Sequence, residues 1–131
     1  MKIVIADDSP LLRDRIRSLL NSIDDNLEVY EAENGAEALQ IIREKKPGLA
    51  ILDIRMPEMN GIEVLKKIKE LKMKVKVCML TNYAYPQYKK KCFEAGADYF
   101  LSKTEDFEEI EIIVSDMLRD KLKHSNKSPL I

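Results

Sequence analysis

Three aspartates, a threonine and a lysine are the residues of this chain whose types and spacing could do chemistry. Asp7 and Asp8 follow one apolar, strand-like run. Asp53 and Thr81 each directly follow another such run, and Lys103 lies two residues after a further one. Three carboxylates brought together repel one another and raise their pKa values unless a cation lies among them. Hard oxygen ligands suit Mg²⁺, and an aspartate nucleophile beside a metal and a lysine is a phosphoryl-transfer arrangement.

Apolar runs alternate with helical patterns along the whole chain. Helix starts are predicted from N-cap signals: Ser9 before a proline, and Asn34 and Asn60 each with a glutamate three residues on. Predicted strands cover residues 2–6, 27–32, 48–52, 75–80 and 97–101. Predicted helices cover residues 10–23, 35–46, 61–71, 86–95 and 105–121, the last with an acidic first turn.

Five strands that alternate with five helices predict one α/β domain with a doubly wound parallel sheet. Ligands of such sheets bind outside the carboxyl ends of the strands. All five chemical residues are predicted at that edge. A lone aspartate after a strand is usually a turn former, and Thr81 alone could be an ordinary loop residue, but their coincidence at one edge favours a site.

Bulk composition fits one globular domain and excludes several function classes. The chain has 131 residues, of which 45% are hydrophobic and 34% charged, and its formal net charge is −1. This charge gives no general attraction to nucleic acid or anionic lipid. The sequence contains no signal-like or membrane-spanning run, and Cys78 and Cys92 lack metal-ligand spacing, so we expect a reducing, cytoplasmic setting. We expect residues 1–119 to form the domain and residues 120–131, with His124, a polar frayed tail.

The ordered motifs resemble the response-regulator receiver domain of two-component signalling. They are Asp7-Asp8, Asp53 followed by Met56-Pro57 and Gly61, Thr81, and Phe100-Leu101-Ser102-Lys103. The likeness covers about residues 2–119. It implies a stand-alone single-domain response regulator of flavodoxin-like fold, an α/β protein with a five-stranded sheet of strand order 2-1-3-4-5 and five helices.

The resemblance also implies a role for each site residue. Asp53 is expected to be the phosphoacceptor, which takes a phosphoryl group from a histidine kinase or a phosphotransfer protein. Asp8 and Asp53 would ligate Mg²⁺, with Asp7 acting through a bound water and the backbone carbonyl of Arg55 as a further ligand. Lys103 would pair with the phosphoryl group and Thr81 would hydrogen-bond it. Phe100 matches the switch aromatic, which is expected to swing inward behind the threonine and remodel the surface of helix 4, strand 5 and helix 5.

The sequence departs from the family pattern at two places. Thr104 follows Lys103 where the family commonly has a proline in a cis peptide, and a cis bond without proline costs about 3 kcal/mol. Arg55 and Tyr83, which lie two residues after Asp53 and Thr81, are bulky and poorly suited to orient an attacking water. We therefore expect slow loss of the phosphoryl group and a long-lived signal.

Output is expected to be a surface, because the sequence contains no DNA-binding domain after the last helix. It would bind a target protein, pass phosphate onward, or dimerise on helices 4 and 5 after phosphorylation. Lys89-Lys90-Lys91 on helix 4 is either a solvated face or a contact for an acidic partner. The chain would be no enzyme beyond its own phosphorylation and dephosphorylation.

Two alternatives remain open at this stage. One is a pseudo-receiver that binds partners without phosphorylation, against which the complete acidic set argues. The other is a phosphohydrolase of the haloacid-dehalogenase type, whose aspartate nucleophile follows the first strand in a DxDx[TV] motif. Asp7-Asp8-Ser9-Pro10 does not supply that motif.

Overall fold

A computed structural model describes residues 1–126, which form a five-stranded parallel sheet with helices on both faces. The strand order β2-β1-β3-β4-β5 confirms the predicted flavodoxin-like topology. The elements are β1 (Lys2–Ala6), α1 (Pro10–Ile23), β2 (Glu28–Ala32), α2 (Gly35–Lys45), β3 (Leu49–Leu52), α3 (Gly61–Glu70), β4 (Lys76–Thr81), α4 (Pro86–Glu94), β5 (Tyr99–Ser102) and α5 (Glu109–Asn126).

Two apolar clusters, one on each face of the sheet, hold the helices in place. Residues from α2, α3 and α4 pack on one face, and residues from α1 and α5 pack on the other. All four residues of β3 are buried, because this central strand is covered on both sides. A strand so enclosed has little freedom, and Asp53 at its carboxyl end is therefore held on a rigid support.

The predicted helix starts at Ser9, Asn34 and Asn60 are confirmed. The Ser9 hydroxyl accepts a hydrogen bond from the Leu12 N–H (3.3 Å), and the Asn34 side chain accepts one from the Glu37 N–H (2.8 Å). Asn60 and Glu63 cap each other reciprocally, which fixes the start of α3 directly after the loop that follows β3.

The predicted bounds of the last helix were wrong at both ends. The Asp106 carboxylate accepts a hydrogen bond from the Ser102 N–H, and the Ser102 carbonyl accepts one from the Asp106 N–H, both at 2.9 Å. This closed turn makes α5 begin at Glu109, so three of the four acidic residues expected in its first turn, Glu105, Asp106 and Glu108, lie before it. The helix continues to Asn126, through part of the segment predicted to fray. Residues 127–131 and the side chain of His124 lie outside the described part.

Smaller differences occur in the strands. β4 begins and ends one residue later than predicted, and β5 begins two residues later, at Tyr99. The cause at β5 is the end of α4, where Gly96 adopts a left-handed conformation (φ +102°) and the Ala97 N–H bonds back to the Cys92 carbonyl (3.0 Å). Ala97 therefore closes the helix instead of opening the strand.

Candidate functional site

Backbone hydrogen bonds gather the loops after β1, β3 and β5 at one edge of the sheet. The Asp53 N–H donates to the Ala6 carbonyl (3.0 Å), which extends the β1–β3 pairing by one residue. The Lys103 N–H likewise donates to the carbonyl of Thr81 (3.0 Å), beyond the β4–β5 pairing. The parallel sheet thus places the side chains that follow its strands at a common rim, as predicted.

The three aspartates form one acidic cluster, which contains Asp7, Asp8 and Asp53. Each offers a carboxylate oxygen, and these oxygens all lie within 4.8 Å of one another. The Lys103 ammonium lies 2.5 Å from an oxygen of Asp7 and 2.9 Å from Oδ2 of Asp53. The side chains of Lys103, Asp7 and Asp53 are only 9%, 3% and 8% exposed, whereas Asp8 is exposed to solvent.

Burial and charge act against each other on this cluster. Burial raises the pKa of Asp53, the hydrogen bond and charge of Lys103 lower it, and the charge of Asp7 raises it, with a net rise. Burial lowers the pKa of Lys103, but its hydrogen bonds to Asp53 and Asp7 raise it, again with a net rise. One ammonium therefore balances only part of the charge of three carboxylates.

The donors of the acidic cluster fit a divalent cation. Oδ1 of Asp53 is buried and has no hydrogen-bond partner among the described residues, although its neighbour Oδ2 is bonded to Lys103. A cleft of about 410 Å³, lined by Asp8, Arg55, Met56, Pro57 and Asn60, opens beside the cluster. An all-oxygen donor set with open space for water molecules is typical of Mg²⁺ sites.

Thr81 lies at the same edge but is turned towards its own loop. It is fully buried, and its hydroxyl oxygen accepts a hydrogen bond from the Tyr83 N–H (3.0 Å). No hydrogen bond joins it to Asp53 within residues 1–126. The Lys103–Thr104 peptide is trans, like every peptide bond in the described range.

Arg55 and Tyr83, named from the sequence as a bulky pair, are in direct contact. The Arg55 guanidinium lies 4.0 Å from the centroid of the Tyr83 ring. The side chains of Tyr88 and Tyr83 also raise the pKa of Arg55. This stack connects the loop after β3, two residues beyond Asp53, with the loop after β4.

Phe100 is half-buried on the α4 side of β5. Its ring packs against the cluster on that face, with its centroid 6.5 Å from that of Phe93 on α4. Phe93 is itself 43% exposed. A movement of Phe100 would therefore shift Phe93 at the surface of α4. The switch role of Phe100 stays a prediction.

The loop after β3 crosses itself so closely that only glycine fits at position 61. A Cβ at Gly61 would lie 2.0 Å from the Asp53 carbonyl oxygen. We expect Gly61→Ala to lower the free energy of unfolding in urea by about 1–3 kcal/mol, since the backbone must shift. Gly48→Ala is the matched control, because its Cβ would meet nothing nearer than 3.6 Å. Equal stability of the two variants would contradict the prediction.

Arg13 contacts the backbone of the acidic cluster, and the sequence reasoning missed it. It is a buried arginine on α1, and its guanidinium donates to the backbone carbonyl of Asp7 (2.6 Å). The signal was a charged residue three positions before Ile16 and seven before Leu20, on the apolar stripe of the helix. Such a position is normally apolar, so a charge there points to a specific partner.

No helix in the described range combines the length and apolar character needed to cross a membrane.

Comparison with known proteins gives a consistent family. A family model described as the response regulator receiver domain matches residues 3–115. A Pseudomonas aeruginosa protein named for transcriptional regulation is 44% identical, over 89% of this chain and 56% of its own.

The chemotaxis protein CheY of Halobacterium salinarum is 33% identical, over 89% of this chain and 96% of its own. The solved structure of a DNA-binding response regulator of the LuxR family from Staphylococcus aureus is 30% identical and superposes with a TM-score of 0.81, over 88% of this chain and 96% of that chain. The chain spans about half the length of the first curated relatives it matches.

Proposed function

Since the chain belongs to the response regulator receiver domain family, we propose that it is a signalling switch that accepts a phosphoryl group on Asp53. The donor would be the phosphohistidine of a histidine kinase or a phosphotransfer protein. The observation that carries this proposal is the buried Asp53 carboxylate, one oxygen bonded to Lys103 and the other without a partner in the described range.

The transfer needs only positioning and charge neutralisation. A carboxylate oxygen of Asp53 attacks phosphorus, the P–N bond of the donor breaks, and the imidazole keeps the bonding electron pair. Asp8, Asp53 and the Arg55 carbonyl would hold Mg²⁺, with Asp7 acting through water, and a bound Mg²⁺ would neutralise charge on the phosphoryl oxygens. The Lys103 ammonium would turn from the carboxylates to a phosphoryl oxygen.

Phosphorylation would then be converted into a change of surface. It adds about −1.5 to −2 charge and three strong acceptors at the rim. The Thr81 hydroxyl can donate to one of them if it moves inward, and Phe100 can follow into the vacated space. Because the Phe100 ring contacts Phe93, the surface of α4, β5 and α5 would change shape.

The output partner is proposed to be a target protein that binds this surface. Lys89, Lys90 and Lys91 are exposed on α4, within this surface, and would suit an acidic partner. Onward phosphotransfer and phosphorylation-dependent dimerisation are the other outputs. We place the function in the cytoplasm, where the thiols of Cys78 and Cys92, which are free and buried, would stay reduced.

The test is the intact mass of the protein after incubation with acetyl phosphate, with Mg²⁺ and with EDTA. We expect one phosphoryl adduct that requires Mg²⁺ and is absent from the Asp53→Ala control. A folded wild-type protein without an adduct would make the chain a pseudo-receiver. Continuous release of phosphate from phosphate esters would instead favour a phosphohydrolase.

The contact between Arg55 and Tyr83 predicts a long-lived phosphorylated state. The stacked pair would hinder the approach of water to a phosphoryl group on Asp53, and it offers no acid or amide to orient that water. We expect the adduct to persist for minutes, and Arg55→Asn to shorten its lifetime several-fold in the same mass assay. Lys89→Asn, on the exposed side of α4, should leave the lifetime unchanged. Wild-type decay within seconds would contradict this prediction.

A further inference from the structure

A buried arginine on α1 supports the main chain of the acidic cluster. We propose that Arg13 is a positioning residue that sets the affinity of the cluster for a divalent cation by fixing the peptide between Asp7 and Asp8. The inference rests on the proposed function, because the cation is the Mg²⁺ of that site. Arg13 does not touch the reacting atoms.

The geometry fixes the Asp7 backbone from two sides. Nη1 of Arg13 donates to the Asp7 carbonyl (2.6 Å), and the Asp7 N–H donates to the Ala32 carbonyl of β2 (3.1 Å). The carbonyl that Arg13 holds belongs to the peptide group whose nitrogen is that of Asp8. The orientation of this peptide group therefore sets the direction in which the side chain of Asp8, the exposed carboxylate of the cluster, projects from the backbone.

The guanidinium is itself held by acidic side chains of β2 and of the segment after it. Nε donates to the Glu31 carboxylate (3.0 Å), and Nη2 lies 4.0 Å from the Glu33 carboxylate. Arg13 is only 8% exposed, and a buried charge is costly unless it is paired in this way. The planar fork of arginine can reach Glu31 and the Asp7 carbonyl at the same time.

Arg17 provides a matched control one turn along α1. Its Nε donates to the other oxygen of Glu31 (2.8 Å), and its Nη2 donates to the Val29 carbonyl (3.1 Å). It thus ties α1 to β2 through the same carboxylate without a bond to Asp7. Loss of Arg17 removes the same charge and one of the Glu31 contacts, but leaves the Asp7 carbonyl held.

Charge and positioning predict effects of opposite sign. Removal of a positive charge near three carboxylates should tighten the binding of a cation, because the local potential becomes more negative. Release of the Asp7–Asp8 peptide should weaken it, since outer partners of metal ligands typically contribute tenfold or more to affinity. The direction of the change therefore distinguishes the two roles.

The experiment is calorimetric titration of the metal-free protein with Mg²⁺, for wild type, Arg13→Met and Arg17→Met. We expect Arg13→Met to bind Mg²⁺ about tenfold more weakly, and Arg17→Met to bind it as tightly as wild type or slightly more tightly. In the acetyl phosphate assay, Arg13→Met should need more Mg²⁺ for half-maximal adduct formation but reach a similar rate at saturation.

Three outcomes are decisive. Unchanged or tighter Mg²⁺ binding by folded Arg13→Met would overturn the inference, as would equal weakening in both variants. Absence of Mg²⁺ binding by wild type would overturn the proposed function instead. Should Arg13→Met fail to fold, Arg13→Lys takes its place, since an ammonium lacks the fork. Weakening by about threefold or more would then support the inference, and an unchanged affinity would overturn it.

Discussion

Replacement of Asp53 by asparagine is expected to abolish phosphorylation and, in metal-free buffer near neutral pH, to stabilise the protein. Asparagine has nearly the same shape but no nucleophilic carboxylate. It also removes one of the two carboxylates that contact Lys103, and Oδ1 of Asp53 is buried without a hydrogen-bond partner in the described range. We expect a gain of about 1–3 kcal/mol in the free energy of unfolding, measured in urea with EDTA.

The same variant tests the sign of the pH dependence. Burial is the main cause that raises the pKa of Asp53 in the folded state above its unfolded value. The folded state therefore binds the proton of Asp53 more tightly than the unfolded state does. The resulting contribution to folding stability is fully present below the unfolded pKa and is lost as pH rises through the folded pKa. The advantage of Asp53→Asn over wild type should be largest at neutral pH and shrink on acidification. A constant difference across that range would contradict a raised pKa.

Mg²⁺ should reverse the order of the two proteins. Wild type retains all its proposed ligands, so the metal stabilises it by mass action, whereas Asp53→Asn lacks a charged ligand and should gain less. An Asp53→Asn variant that still acquires a phosphoryl adduct from acetyl phosphate would move the phosphoacceptor to another residue. Asp116→Asn, on the exposed side of α5, serves as the control for loss of a carboxylate elsewhere.

The fold could be predicted from the sequence because its signals are local. β3 is a short apolar run that must be buried on both faces, and the capping residues at Ser9 and Asn60 mark where helices start. The start of α5 was missed because a hydrogen-bonded turn between Ser102 and Asp106 replaces the first helical turn that the acidic residues suggested. Asp106, which looks like a first-turn acid, instead closes a turn with Ser102.

Some contacts of the candidate site could likewise be predicted from the sequence, and others could not. Parallel strands bring their ends together by topology, so the meeting of Asp7, Asp53 and Lys103 could be predicted before any distance was known. Contacts between side chains of different loops have no such rule. Arg55 and Tyr83 were singled out only for their positions two residues after Asp53 and Thr81. Their stacking depends on loop shapes that no local sequence pattern specifies.

Replacement of Lys103 by methionine is expected to cost the metal-free protein about 3 kcal/mol of stability at neutral pH. The ammonium contacts both Asp7 and Asp53, and removal of one partner of a buried pair leaves uncompensated charge. Its pKa is raised in the folded state, so its stabilising contribution is fully present at neutral pH and is lost only as pH rises through that folded pKa. Urea unfolding with EDTA measures the loss, and exposed Lys90→Met is the control.

Acid and Mg²⁺ should each restore the stability of Lys103→Met, by different routes. Acidification protonates Asp53, whose pKa rises further once the lysine no longer lowers it, and Mg²⁺ supplies the missing positive charge. The variant should therefore bind Mg²⁺ more tightly than wild type, although adduct formation slows by about 100-fold without a cation for the transferred group. Weaker Mg²⁺ binding would mean that Lys103 positions the carboxylates rather than competing for them. In the Asp53→Asn background the same substitution should cost less, because only one buried carboxylate is then left without its ammonium.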